Sequence, residues 1–287
     1  VLGSIMDSAP LSYSTEALEA TFRFLEAGWP MKVNSSGILG ATHPATLAGS
    51  LVVTNATEIA AIVLIQLVQP GTGITVLHFS FPMDMTSGHP AFGAIGSYLH
   101  CAAFNQIWRN YGLPSFDSAT VSSSKVIDYQ CGIEKTLGTF LAALSGGNIV
   151  QGAGGVYGEI TYHPAMTVMD NDLYGMMGRF LEGVTVTDDA MALDLIKEVG
   201  PAPGCYLNTG HTREWWRTEQ YLPKVVDRLP YEKWRQEGMK DELSNARREV
   251  EDILARHSPV PLSTHQEDEL TRVLRCAEEH YERRGML

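Results

Sequence analysis

Five short apolar runs rich in β-branched residues alternate with longer helix-like segments through the first two-thirds of the chain. VLGSIMD (1–7) precedes a helical pattern over 14–27, where Ser14 is placed to cap and Ala17, Leu18, Phe22 and Leu25 fall on one face. MKVNSSG (31–37) precedes an Ala/Leu-rich helical pattern ending near Val68, and ITVLHFS (74–80) one over 91–110. PSFDSATV (114–121) precedes one over 128–144, and NIVQGAG (148–154) one over 169–181. The repeat of roughly 35 residues is that of βαβ units. Near-continuous apolar strands need cover on both faces, so the pattern predicts a parallel sheet dressed with helices. Each run ends in small polar or acidic residues (Asp7-Ser8, Asn34-Ser35-Ser36, Ser80, Ser118, Gln151), where a (β/α)8 barrel carries its site. The expected fold is therefore a TIM (β/α)8-type barrel lacking its N-terminal strands. The alternative is an open sheet. Val1 opens directly on an apolar run, which predicts a fragment with units missing upstream.

Charge divides the chain. Residues 1–211 carry 24 charged side chains, and the remaining 76 residues carry 30. The first part reads as mostly interior and the last as solvated helix. PAPG (201–204) is a breaker, so the expected division is 1–200 for the barrel units and 201–287 for a C-terminal helical region. That region reads as one long amphipathic helix over 231–257 and, after SPVPL, a last helix over 264–284 capped by Thr264 with Glu267 three residues on. It is expected to pack on the barrel or on a partner subunit of a homo-oligomer.

At 287 residues, 44% apolar and a formal net charge of −12, the chain is neither disordered nor fibrous, nor a basic nucleic-acid binder. Its four cysteines lie far apart with no CxxC spacing, so a reducing cytoplasm is the default. The longest apolar stretch, 59–68, is broken by Gln66 and is about half the ~20 residues of a membrane span. It reads as a buried helix, with no membrane partner.

Common catalytic signatures are missing. The glycines of GGNIVQGAGGVYG (146–158) do not fit GxGxxG, because the sixth position is Tyr157. Ser122-Ser123-Ser124-Lys125 matches SxxK without the partner motifs of that chemistry. His78, His89, His100, His163 and His211 show no ligand spacing, so no metal is expected, and a zinc site assembled from distant strands stays open as the alternative. Phe79, Phe81, Phe92, Tyr129, Tyr157 and Tyr162 cluster near strand ends. They read either as core and rim packing or as an aromatic cage for a quaternary ammonium group.

GLPSFDSATVSSSKVIDYQCGIEKT (112–136) resembles the trimethylamine methyltransferase family. So do PLSYSTEALE (10–19), GATHPATLAGSLVVTNATEIAAIVLIQLVQPGT (40–72), GGNIVQGAGG (146–155), DNDLYGMMGRFLEGV (170–184) and the REWWRTEQYLPKVVDR region. Members transfer a methyl group from an amine to the cobalt of a corrinoid protein, and the family fold is a TIM barrel. The resemblance implies a corrinoid (cobalamin) carried by a cognate partner protein, with no cofactor held tightly by this chain. Archaeal members that use trimethylamine carry pyrrolysine after the GLPSF-like strand, and an ungapped match puts Val121 at that position and Lys125 at the lysine four residues on. Val121 cannot form an adduct with an amine. The chain therefore looks like the non-pyrrolysine branch, which resembles glycine betaine methyltransferases.

That replacement has a chemical logic. Co(I) is already a strong nucleophile, so the protein must chiefly align methyl, nitrogen and cobalt. A quaternary ammonium departs as a neutral tertiary amine and needs no electrophile or proton donor. Its positive charge disperses during displacement, so aromatic faces and neutral dipoles suit it better than a tight carboxylate clamp. The catalytic candidates are Val121, Gln130 and Glu134, the last two matching QxGxE and lying on one helix face. They either take part in the chemistry or brace the Val121 loop. The substrate-binding candidates are Asn34, Ser35, Phe79, Phe81, Asp84, Asp117, Lys125 and Gln151, with Lys125 and the amides near Gly154 to receive a betaine carboxylate. The competing functional reading is a truncated, inactive family member that retains only assembly or corrinoid-protein docking surfaces.

Overall fold

The computed structural model describes residues 1–158 and 160–285. The chain divides into two compact units, Val1–Glu249 and Val250–Leu287. In order, the first elements are β1 (Gly3–Met6), α1 (Thr15–Glu26), β2 (Met31–Ser35), β3 (Ile38–Leu39) and α2 (Leu47–Val68). Then come β4 (Ile74–His78), β5 (Phe81–Asp84), β6 (His89–Pro90), α3 (Ile95–Asn110), β7 (Ser115–Asp117) and α4 (Tyr129–Leu144). The sheet elements end with β8 (Ile149–Val150), β9 (Gly155–Val156) and β10 (Thr161–Tyr162), followed by α5 (Pro164–Glu182). The rest is helical: α6 (Asp188–Met191), α7 (Leu193–Val199), α8 (Gly210–Glu219), α9 (Tyr231–Gln236), α10 (Glu242–Arg256) and α11 (Thr264–Arg283).

The five expected runs form one five-stranded sheet in the order β1-β2-β4-β7-β8, with every pairing parallel. The fold is mixed α/β with a parallel sheet. Register sets which side chains share a face. Ile5, Val33, Val76 and Ser115 lie in one cross-strand row. Ile5, Met31 and Val33 pack with Leu25 of α1 and Ala61 and Ile65 of α2, and Val76 packs with Phe104 and Trp108 of α3. The helices thus cover the face that this row defines. The alternate row, Met6, Asn34, Leu77, Phe116 and Ile149, lies on the opposite face.

Local signals acted largely as expected. Ser14 caps α1 by accepting from the Ala17 N–H at 3.2 Å; Asp128, read as the first residue of a helix, stands just before α4 and caps it by accepting from the Cys131 N–H at 2.9 Å. α5 begins earlier than the hydrophobic periodicity suggested, because Pro164 at its first turn is preset for helix entry. The single helix expected over 231–257 is two helices, α9 and α10. Gly238 takes φ 92° there, and the Met239 N–H returns to the Trp234 carbonyl at 2.9 Å, a glycine-terminated helix end. The last helix is capped by Ser263, in a reciprocal box with Gln266, one residue before the expected cap.

α2 departs from the reading of a buried helix. It is long and apolar enough to cross a membrane by length and composition. Ser50, Thr54, Thr57, Glu58, Ala61 and Ile65 are its buried side, while Val52, Ile59, Val63 and Leu67 are exposed. On that buried side Ser50 meets His43 at 3.0 Å and His100 at 3.1 Å.

Candidate active site

The segment between β7 and α4 lies flat on α4, and almost every residue of it is tied down. The Ala119 carbonyl rests where a Cβ on Gly138 would stand. Thr120 shares a 2.9 Å hydrogen bond with the Thr139 hydroxyl. The Ser122 hydroxyl donates to Glu134 Oε2 at 2.6 Å, the Ser123 N–H donates to the same oxygen at 2.9 Å, and the Gln130 amide donates to Oε1 at 2.9 Å. Between these anchors stands Val121, 1% exposed. Glu134 and Gln130 therefore brace the loop, one of the two roles their spacing allowed.

A second set of ties joins this loop to the glycine-rich segment after β8. The Gly158 N–H donates to the Ser122 carbonyl at 2.7 Å and the Tyr157 N–H to the Ser124 carbonyl at 3.0 Å. The Lys135 ammonium, 1% exposed on α4, donates to the carbonyls of Thr120 (3.0 Å), Gly152 (3.3 Å) and Gly155 (2.7 Å) and pairs with Asp170 of α5 at 3.0 Å. Burial pushes the Asp170 carboxyl up, while Lys135 and the Gly154 N–H pull it back. Sequence reasoning passed over Lys135. The signal was present: with Cys131, Gly138 and Ala142 it falls at helical spacing on the buried side of α4.

Phe79, Phe81 and Phe92 form an edge-to-face trio, with centroids 5.0 and 4.8 Å apart. It abuts the Val121 loop, since the Phe92 carbonyl accepts from the Ser123 hydroxyl at 2.9 Å and the Phe92 ring occupies the space beside Gly158. Tyr129 and Tyr162 are exposed, and Tyr157 holds the exposed Lys125 ammonium 4.8 Å over its ring.

The remaining substrate-binding candidates separate by sheet face. Asn34 stands on the face opposite α1, α2 and α3, where its Nδ2 donates to Ser4 Oγ at 3.3 Å and its buried Oδ1 has no hydrogen-bond partner. Gln151 donates to Ser118 Oγ at 2.7 Å and, with Gly152, Ala153, Gly155, Thr161 and Tyr162, lines a recess of about 330 Å³. Ser35 and Asp117 are on the helix side instead, because Ser35, His78, Asp117 and Val150 share a cross-strand row. Ser35 donates to Asp7 at 3.1 Å, and Asp117 accepts from Asn105 at 3.0 Å and Cys101 at 3.2 Å. Burial pushes the Asp117 carboxyl up to about 6, against the downward pull of those two donors. Asp84 is exposed and caps the β5–β6 turn by accepting from the Thr86 N–H and the Ser87 hydroxyl, both at 2.9 Å. The Gly154 amide is committed to Asp170 at 2.7 Å, so it is not free for a substrate carboxylate.

Beneath the helices runs a chain of polar contacts that sequence reading reduced to scattered histidines. His78 Nε2 meets His100 Nδ1 at 3.0 Å, His100 Nε2 meets Ser50 Oγ at 3.1 Å, and Ser50 Oγ meets His43 Nδ1 at 3.0 Å. Burial holds all three imidazoles below their usual range, His100 at about 4. Among the described residues, no group of three or more His, Cys, Asp or Glu side chains is placed to hold a metal ion.

The family model of trimethylamine methyltransferase (MTTB) matches residues 1–279. The chain belongs to this family. It is 34% identical over 267 residues to glycine betaine methyltransferase of Desulfitobacterium hafniense, covering 91% of this chain and 55% of that relative. It is 36% identical over 264 residues to trimethylamine methyltransferase MttB of the same species (90% and 52%). The Methanosarcina thermophila MttB is 32% identical over 255 residues (89% and 52%). The chain thus spans about half the length of the curated relatives it matches.

Proposed function

We propose that this member of the trimethylamine methyltransferase family acts in moving a methyl group from a betaine-type quaternary amine to the Co(I) of a cognate corrinoid protein. The observation that carries the reading is Val121, an aliphatic side chain sealed into the loop where the family resemblance expects pyrrolysine. The partner's reduced corrinoid supplies the nucleophile. As the methyl carbon bonds to cobalt, its bond to nitrogen breaks, and the electron pair returns to a neutral tertiary amine. No proton has to move. What this chain supplies is position. Glu134, Gln130 and Lys135 hold the Val121 loop, and the Phe79–Phe81–Phe92 trio beside it offers ring surface suited to a dispersed positive charge. Asn34, on the face opposite α1, α2 and α3, and Gln151, at the recess after β8, are the polar groups we assign to the substrate.

We further propose that the sheet is a sector of a TIM (β/α)8-type barrel. Sequential strand order with α1, α2 and α3 packed on one face supports this, because right-handed crossovers that never reverse direction wind toward a barrel. In this reading 1–200 carry the barrel units and 201–287 a C-terminal helical region, in a cytoplasmic homo-oligomer that docks the corrinoid protein at the C-terminal ends of the strands. The test is to mix the full-length natural protein with cob(I)alamin and a panel of betaines and to follow methylcobalamin absorbance. Methylcobalamin formed with at least one quaternary amine, and none with trimethylamine, is the expected result. Turnover confined to uncharged amines overturns the reading.

A further inference from the structure

We infer that Lys135 is the positioning residue that sets where the Val121 loop stands relative to the glycine-rich loop after β8. The inference rests on the methyltransferase reading for its catalytic consequence and on the geometry alone for its structural one. Three segments meet at a single ammonium group: the β7–α4 loop through the Thr120 carbonyl, the post-β8 loop through the carbonyls of Gly152 and Gly155, and α5 through Asp170. Thr120 is the residue immediately before Val121, so the peptide group that Lys135 holds is the one that leads into Val121. Asp170 closes the arrangement from the other side by accepting the Gly154 N–H at 2.7 Å.

Stability does not explain such a group. A buried ion pair replaced by apolar residues of similar volume commonly leaves a protein as stable as before. An apolar side chain, however, offers nothing to the three loop carbonyls. The Thr120 and Gly152 carbonyls lie in irregular segments and the Gly155 carbonyl at the start of the two-residue strand β9, and a lysine with three rotatable donors on a long stem can gather them around one point. Removing it frees the two loops to shift relative to each other. A displacement of about 1 Å at the reacting centre costs on the order of 100-fold in rate.

The experiment uses the full-length natural protein in three forms: unaltered, Lys135→Met with Asp170→Asn, and Lys135→Gln with Asp170→Asn. The asparagine keeps an acceptor for the Gly154 N–H and leaves no unpaired buried charge, and the glutamine retains two donors on a shorter stem. Hydrogen exchange is read at the Tyr157 and Gly158 amides, which bridge the two loops, and at the Val33 and Val76 amides of the sheet. The expected result is faster exchange at Tyr157 and Gly158 alone. With it, kcat for methyl transfer falls by about 100-fold in the methionine form and less in the glutamine form, at nearly constant KM and Tm. Unchanged exchange at Tyr157 and Gly158, or losses of exchange protection and kcat that simply track Tm, overturns the assignment. Should the unaltered protein fail to methylate cob(I)alamin from every amine in the panel, the methyltransferase reading fails separately, and the exchange pattern alone decides the role of Lys135. If the methionine form does not fold, the glutamine form carries the same comparison.

Discussion

The hydroxyl of Ser122 donates to Glu134 Oε2 at 2.6 Å, and this contact fastens the loop that carries Val121 to the first turns of α4. Charge-assisted hydrogen bonds of this kind are stronger than neutral ones, and the Ser123 N–H adds a second. Glu134→Ala is therefore expected to lower unfolding free energy by about 1–3 kcal/mol, because it strands the two donors. Glu134→Gln should cost less. Urea midpoints of the two variants, with turnover measured beside them, check the order. Equal losses would mean that charge plays no part in the contact.

Val121 is enclosed, so its size matters more than its chemistry. Val121→Ala should reduce stability by on the order of 1–2 kcal/mol through the void it leaves. In the proposed reaction it should also shift donor preference toward bulkier quaternary amines. The comparison is kcat/KM across a graded series of betaines. An unaltered preference would place Val121 away from the methyl donor.

α4 holds two glycines with opposite expectations. A Cβ on Gly138 would run into the Ala119 carbonyl and the Tyr98 ring, whereas a Cβ on Gly132 meets nothing within 4 Å. Gly132→Ala should stabilise by about 0.5–1 kcal/mol through helix propensity. Gly138→Ala should destabilise by about 1–3 kcal/mol and loosen the Val121 loop. Thermal unfolding of both variants tests the pair. A gain at Gly138 would contradict the close approach of loop and helix.

The buried histidine chain should make the fold acid-sensitive. A group whose folded pKa is depressed contributes stability that is present above its unfolded value and lost as pH falls. For His100, at about 4 against 6.5, the loss runs between those two pH values and amounts to on the order of 3 kcal/mol. His43 and His78 shift in the same direction. Asp117, raised to about 6, works oppositely: its contribution is present at low pH and lost as pH rises through about 6. Glu58, pushed well above its usual range by burial, shares that sign. His100→Gln should flatten the acid limb of a stability–pH curve, and Asp117→Asn should steepen it. Denaturant titrations from about pH 7 to about pH 4 read both slopes. Parallel curves for all three proteins would refute the coupling.

Much of the architecture could be read from the residues alone. Near-continuous apolar runs and helices of period 3.6 are local patterns, and a cap such as Ser14 acts within three residues of itself. The family is likewise written in contiguous motifs. Other features depended on partners distant in sequence. The Gln66 break and the run 59–68 suggested a buried α2, yet α2 turns Ser50, Thr54 and Glu58 inward and leaves Val52, Ile59, Val63 and Leu67 exposed.

Neighbouring strands decide which face a strand residue occupies. Asn34 and Ser35 are adjacent in the chain and lie on opposite sides of the sheet, so one of two neighbouring candidates binds Ser4 and the other Asp7. The Lys135 cage draws on residues 15 to 35 positions away, and the His78–His100–Ser50–His43 chain joins residues 22, 50 and 7 positions apart. Local patterning specifies where the backbone bends and which way it is amphipathic. It carries no information about which buried polar atoms will meet, because those pairings come into being only when strands and helices pack together.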